Sequence, residues 1–411
     1  MRLTQNRGSW GRSLVRERGA NVMAYVGIFI VAVAIIIGIS LVVQGSKMGQ
    51  VIFLAMCRVS GGQNCEVAAG RESQNAYPNE WERLKAEFAK KPKAKYLVNG
   101  DSYISGEGGF DYLGNAKDPS YWCHRSAHAS TLSIKKSLNI SGENYINRTC
   151  SGAVSGHLAG NGQYGEGPQQ DVENPEDVLL YEISITGNDL GFKDVLTECA
   201  RPNGPIKGCT NNQIAQKLEK IIKGEIPFKK IGDKEYTYEE YLVKLYSDAQ
   251  EKFPNSTIVV HGYPRFWAED QNGNTKANHF LEGDLTASML DSEIDLLSNG
   301  SDLSISRQEK KWMNNQNKLA NRAIANAVKK VASEGNGNPV IFVDLYEGMK
   351  GHEIDTEKPW IHGIGINPAE SNEELGFVDQ LKDTFNASVH PNAIGYTEIG
   401  NLTQQSIENY D

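Results

Sequence analysis

Four short segments of this 411-residue chain concentrate residue types suited to nucleophilic chemistry. They are Gly100-Asp101-Ser102-Tyr103-Ile104-Ser105-Gly106-Glu107-Gly108, Cys150-Ser151-Gly152-Ala153, Gly187-Asn188-Asp189 and Val389-His390-Pro391-Asn392. A serine hydroxyl is a poor nucleophile until a base takes its proton. An imidazole titrates near neutrality, so it can take that proton and later return it to a leaving group. Attack on a carbonyl builds an oxyanion, which needs donors already in place. A glycine lets backbone N–H groups come close to a ligand, because no Cβ intervenes. Singly, each residue has an ordinary use: Ser102 as a helix cap, Gly152 in a turn, Asn188 in a loop. The chemical reading rests on their joint placement.

That placement comes from the elements that precede them. Residues 95–99 (KYLVN) read as a short buried strand, and 144–149, 178–186, 256–262 and 339–345 as further strands. Helical spacing of apolar residues marks 80–91, 211–223, 236–252 and 306–334, and a closing helix is expected over 393–408. Strands alternating with helical patterns predict βαβ units and a parallel sheet. In such sheets ligands bind beyond the carboxyl ends of the strands. The first three segments all fall there, on one rim. Residues 267–305 break the pattern. Rich in Asn, Asp and Gly, they read as a surface excursion or as a lid over the substrate.

In this order the four segments resemble the Ser, Gly, Asn and His blocks of SGNH (GDSL-like) hydrolases. The resemblance is closest to the secreted actinobacterial branch of esterases and lipases. That branch opens with GDSY-x-SG-x-G, as at 100–108, and continues with a C-x-RS segment, here Cys123-His124-Arg125-Ser126, and a CSGA segment, here 150–153. Gly351-His352 and Pro359-Trp360-Ile361-His362-Gly363 are also similar to it, and the likeness spans about residues 95–400. It implies a flavodoxin-like three-layer α/β/α sandwich with a parallel five-stranded sheet, and a serine esterase or lipase working through an acyl-enzyme. It implies Ser102 as nucleophile and His390 as base. The oxyanion donors would be the backbone N–H groups of Ser102 and Gly152 and the Asn188 amide. One position departs from the wider superfamily, which has Asp three residues before the catalytic His. Here Ala387 stands there. The secreted branch orients its imidazole with a backbone carbonyl at that position, so the expectation is a Ser102–His390 dyad held by the Ala387 carbonyl. Asp383 and Asp379 rank second as supports.

The N-terminus differs in kind. Arg2, Arg7, Arg12, Arg16 and Arg18 precede an uncharged run, ANVMAYVGIFIVAVAIIIGISLVV, at 20–43. Such a run is long enough to cross a hydrocarbon core of roughly 30 Å. The basic flank belongs on the cytoplasmic side. The expected organisation is a basic cytoplasmic segment at 1–19, a transmembrane helix at 20–45, a juxtamembrane linker at 46–77 and a hydrolase domain at 78–411. The chain would sit in the cell membrane with its catalytic domain outside, or be released after processing. The stretch RGANVMAYVGIFIV at 18–31 also resembles Flp- and TadE-like pilin segments. Tyr25 is present, but Ala24 stands where those segments have Glu.

Six cysteines, Cys57, Cys65, Cys123, Cys150, Cys199 and Cys209, all follow the apolar run, which suits an oxidising compartment. Cys57–Cys65 and Cys199–Cys209 are close in sequence, which leaves Cys123–Cys150, although six cysteines allow fifteen connectivities. No C-x-x-C pair suggests zinc. His124 and His128 share i, i+4 spacing, but no glutamate completes a metalloprotease motif, so a structural or solvent-facing role is preferred. His261 ends a strand near the same rim, and His352 and His362 read as packed loop residues. Net charge is −9, an acidic balance that argues against nucleic acid as partner. No cofactor is expected. Two rival readings keep the fold: a carbohydrate esterase removing acetyl groups from cell-wall or extracellular polysaccharide, and a surface interaction module with no catalysis.

Overall fold

A computed structural model describes residues 77–195, 213–270, 275, 279–280, 304–363, 375 and 377–410. The expected transmembrane helix and basic segment, the linker up to residue 76, and Cys57, Cys65, Cys199 and Cys209 lie outside the described residues. So does most of the excursion at 267–305. Among the described residues no helix is long and apolar enough to cross a membrane. Contacts set Pro78–Asp411 apart as a unit of its own.

Five parallel strands form the main sheet: β1 (Lys95–Gly100), β2 (Tyr145–Asn147), β3 (Val178–Ser184), β4 (Thr257–His261) and β5 (Val340–Val343). Their order across the sheet is 2-1-3-4-5, so the direction of winding reverses between β1 and β3. All seven residues of β3 and all five of β4 are buried. Burial on both faces means both faces are covered. On one side α1 (Glu80–Lys90) and α3 (Ser130–Ser137) pack with α9 (Ala393–Glu408). The other set is α4 (Gln213–Ile222), α5 (Tyr238–Lys252) and α6 (Arg307–Glu334). The result is three layers. Short helices α2 (Ser102–Ser105) and α7 (Leu345–Gly348) follow β1 and β5, and α8 (Phe377–Asn386) precedes the His390 loop.

The sequence explains these boundaries. Asn79 caps α1 by accepting the Glu82 N–H, and Trp81 and Leu84 bury its apolar stripe. Thr237 with Glu240 and Ser306 with Glu309 form capping boxes that start α5 and α6. Helix α6 places amides against the chain leaving β4. Asn314 donates to the Trp267 carbonyl at 2.8 Å, Asn317 to that of Pro264, and Asn321 to that of Tyr263 at 2.8 Å. Irregular backbone can be buried there because its carbonyls are satisfied. In mid-sheet, Glu182 is fully buried, accepting from Tyr96 and facing His261 Nε2 at 2.9 Å.

Gly100 ends β1 at φ +138°, and a Cβ there would lie 2.0 Å from the Ser184 carbonyl oxygen. Both the left-handed backbone and the missing side chain are therefore required where β1 meets β3. Gly100→Ala is expected to cost roughly 2–4 kcal/mol, on the scale of overpacking plus backbone strain. Urea unfolding of the variant checks this, and a change within about 0.5 kcal/mol, typical of an unconstrained surface site, contradicts it.

Candidate active site

The chain turns sharply after β1, and Asp101 caps the short helix that follows, its side chain accepting the Tyr103 N–H at 3.1 Å. Ser102 is therefore the first residue of α2. The first amides of a helix lack intrahelical acceptors, and among the described residues the Ser102 N–H finds no acceptor elsewhere. His390 comes from the opposite end of the domain. Its Nε2 lies 2.8 Å from Ser102 Oγ.

The loop that carries His390 is held under strain. Val389 adopts φ +60°, an unfavourable conformation for a β-branched residue. Three contacts fix it: its N–H donates to the His362 carbonyl at 3.2 Å, its carbonyl accepts the Tyr103 hydroxyl at 2.9 Å, and the His362 N–H donates to the His390 carbonyl at 2.9 Å. This turn corrects one expectation. The imidazole Nδ1 donates to the carbonyl of Ser388 at 3.0 Å, not to that of Ala387. The left-handed Val389 brings the nearer carbonyl round to the ring, while the Ala387 carbonyl accepts the His390 backbone N–H at 3.0 Å. Either way Nδ1 keeps its proton and Nε2 is free to accept one. Asp383 faces His124 Nε2 at 3.3 Å.

Gly152 lies in the turn after β2 at φ +77°. The Cys123–Cys150 disulfide forms, and the Ser151 N–H donates to the Cys123 carbonyl at 3.0 Å. Cys150 in turn donates its N–H to the Gly100 carbonyl at 3.0 Å. The Gly152 turn is thereby tied to the strand that ends at the serine. The Gly152 N–H has no acceptor among the described residues. Asn188 follows β3, and its amide donates to the Ala153 carbonyl at 2.9 Å. That bond orients the side chain and leaves its second amide hydrogen for another acceptor. Next to it, Asp189 is pinned by Ser155, whose N–H and hydroxyl it accepts at 2.8 and 2.7 Å.

Ser102, Gly152, Asn188 and His390 line a single cavity of ≈ 250 Å³. Its walls are mostly apolar, with Trp122, Tyr164, Phe192, Val195, Phe266 and Met313 among them. Ser102 is itself buried at 7% exposure. Burial lowers the His390 pKa, because desolvation penalises the imidazolium, and the Glu107 charge opposes it. Burial raises the Asp101 pKa to about 7, against the hydrogen bond from Tyr263.

No protein-family model matches the chain. It is 26% identical over 277 residues to Lipase 1 of Streptomyces coelicolor, covering 67% of this chain and 79% of that protein. It is 24% identical over 292 residues to a lipase of Streptomyces rimosus, covering 70% and 85% respectively. Among solved structures, phospholipase A1 from Streptomyces albidoflavus is similar at a TM-score of 0.48 and 21% identity, covering 77% of this chain and 99% of that one.

Several residues at this site had no motif to announce them. The Tyr263 hydroxyl donates to Asp101 at 2.7 Å and accepts the Gly187 N–H at 2.8 Å, joining the serine turn to the asparagine turn. Tyr396 donates to the Ser102 and Glu107 carbonyls at 3.3 and 2.7 Å. Among the other histidines, His124 is buried in left-handed backbone, so it shares no helical face with His128. His261 turns toward Glu182 and does not line the cavity. His352 stacks on Trp360, and His362 donates from Nε2 to the Gly108 carbonyl at 2.7 Å. Among the described residues no group of three or more His, Cys, Asp or Glu could hold a metal ion.

Proposed function

We propose that this chain is a serine ester hydrolase of the SGNH (GDSL-like) kind, acting on carboxylic esters through an acyl-enzyme. The observation that carries the reading is the 2.8 Å contact between Ser102 Oγ and His390 Nε2, opening on a largely apolar cavity. Lipases are also the relatives to which the chain is similar over two thirds of its length.

In this mechanism Ser102 Oγ attacks the ester carbonyl as His390 Nε2 takes its proton. The carbonyl electron pair moves to oxygen, and the N–H groups of Ser102 and Gly152 with the Asn188 amide donate hydrogen bonds to the resulting oxyanion. The C–O bond to the alcohol then breaks, and His390 hands its proton to the departing alcohol. Water repeats the sequence on the acyl-enzyme, releasing a carboxylic acid and restoring Ser102. The Ser388 carbonyl holds the imidazole but offers no full negative charge to the imidazolium.

The same reading puts the catalytic domain outside the cytoplasm, tethered by the apolar run at 20–43. The basic flank before that run supports this, as does a disulfide, a bond that persists in oxidising compartments.

The test uses the full-length chain in detergent. Wild type is expected to hydrolyse p-nitrophenyl esters and to be labelled by a fluorophosphonate, and Ser102→Ala to do neither while keeping its circular dichroism spectrum. Retained activity in Ser102→Ala removes Ser102 as nucleophile. A folded wild type inert on these esters yet active on acetylated glycans selects the carbohydrate-esterase alternative. Absence of both activities and of labelling selects a non-catalytic surface module.

A further inference from the structure

Glu107 lies five residues beyond Ser102 with its side chain fully buried. Burying a carboxylate is costly unless it is paired and hydrogen-bonded. Its Oε2 is held by His124 Nδ1 at 2.7 Å and the Ser151 hydroxyl at 2.6 Å, and its Oε1 accepts the Tyr112 hydroxyl at 2.9 Å. The Tyr112 ring stacks on His124 with centroids 4.1 Å apart. On its far side His124 meets a second buried carboxylate, Asp383. His124 is thus flanked by two buried carboxylates.

This cluster reaches the serine turn, the Gly152 turn and the His390 loop. Ser151 adjoins Gly152 in the second turn. Asp383 lies on α8, which leads into the His390 loop. The segment Glu107-Gly108 lies against the base, since a Cβ at Gly108 would sit 3.2 Å from the His390 Cβ. Tyr396 ties the Glu107 carbonyl to that of Ser102, and His362 ties the Gly108 carbonyl to the strand of chain holding Val389.

We propose that Glu107, held by His124, is a positioning residue that supplies His390 with the negative charge its own loop lacks. This rests on the Ser102–His390 reading above. In that reading a proton moves from Ser102 Oγ to His390 Nε2 and makes an imidazolium, which a nearby buried anion stabilises with little screening. Among charged groups Glu107 is the strongest influence holding the His390 pKa up against burial, while His362 pushes it down. Other titratable neighbours are Tyr103, whose ring lies 4.7 Å from that of His390, Asp101 beside Tyr103, and Tyr112, Tyr164 and Tyr396 around Glu107. Burial pushes the Glu107 pKa up, but His124, His390 and the Ser151 hydroxyl together outweigh it and bring it to about 2, so the anion persists through the working range.

The experiment follows His390 directly as well as turnover. The full-length chain carrying 13C-labelled histidine is titrated by NMR, with the His390 signal assigned from His390→Gln, and kcat and KM are measured across pH. In Glu107→Gln, which keeps the shape of the side chain, the His390 titration and the acid limb of kcat/KM are expected to move together to lower pH. The kcat plateau should fall about tenfold, a fraction of what a general base supplies, with KM little changed. The double variant Glu107→Gln, His124→Gln replaces both partners of the buried pair, so neither is left as an uncompensated charge, and should move the same titration in the same direction; it is the deciding variant if Glu107→Gln alone does not fold. A His390 titration that stays put in the folded variants, whatever happens to stability or rate, overturns the proposal. A wild type inert on esters would instead defeat the functional reading, and the NMR comparison would still decide this one.

Discussion

His390→Ala is expected to lower kcat for ester hydrolysis on the order of 10,000-fold, the upper range for loss of a general base. The imidazole is asked to take the Ser102 proton and then to protonate the alcohol, and among the described residues no other side chain is placed at Oγ to do either. Residual turnover would come from the oxyanion donors and substrate binding, which the substitution leaves alone. The pH dependence follows from the same residue. His390 must be neutral to act as base, so kcat/KM in the wild type rises with pH through its pKa. Burial lowers that pKa below the ordinary histidine value of 6.5, so the acid limb should lie on the acidic side of it. Stopped-flow or steady-state assays from acid to neutral pH check both statements. A wild-type limb above the ordinary histidine range, or a His390→Ala variant within tenfold of wild type, contradicts them.

The disulfide carries the second large effect. Cys123 and Cys150 are 27 residues apart, and closing a loop of that size in the unfolded chain is worth about 3.5 kcal/mol on the chain-entropy model. A Cys123→Ser, Cys150→Ser variant should lose stability on that scale in urea. It should lose activity before it loses global structure, because the bond also holds the turn containing Ser151 and Gly152 beside the serine strand. Assaying hydrolysis and far-ultraviolet circular dichroism along one urea series distinguishes the two losses. Coincident transitions, or a midpoint equal to that of the oxidised wild type, would contradict this account.

Much of the architecture was legible in the residues. Strands β1, β3, β4 and β5 match apolar runs within a few residues of their observed limits, because fully buried parallel strands read as continuous hydrophobic segments, while β2, half-buried at the sheet edge, is the short YIN of Tyr145–Asn147. The long helices α5 and α6 announced themselves through apolar spacing. Helices α3 and α8 did not, nor did the small hairpin over Lys229–Tyr236. Helix α3, with Ser130, Thr131, Ser133 and Ser137, carries a weak apolar stripe, and tertiary packing overrides its composition. Ser102, Gly152, Asn188 and His390 were visible because each follows a strand or stands in a recognisable segment. The Ser388 carbonyl was not, because which carbonyl meets an imidazole depends on the backbone twist at Val389, and a valine gives no hint of a positive φ. The Glu107–His124–Asp383 cluster was equally hidden. Its members are 17 residues apart at the first step and far more at the second, and only the folded chain brings them together.

The strand order divides the molecule in a way that chain order alone does not reveal. Strands β2, β1 and β3 occupy one side of the sheet and come from the first part of the chain, while β4 and β5 occupy the other and come from the last. Ser102, Gly152 and Asn188 all belong to the first block and His390 to the second. If Ser102 and His390 act as proposed, the seam between β3 and β4 separates a nucleophile that has no base from a base that has no nucleophile. Cut in the connection between those strands, the protein becomes two inert pieces. Their re-association across a single row of backbone hydrogen bonds and the covering helices would be read out as the return of ester cleavage. The catalytic unit is in this sense a coincidence detector for the presence of both halves.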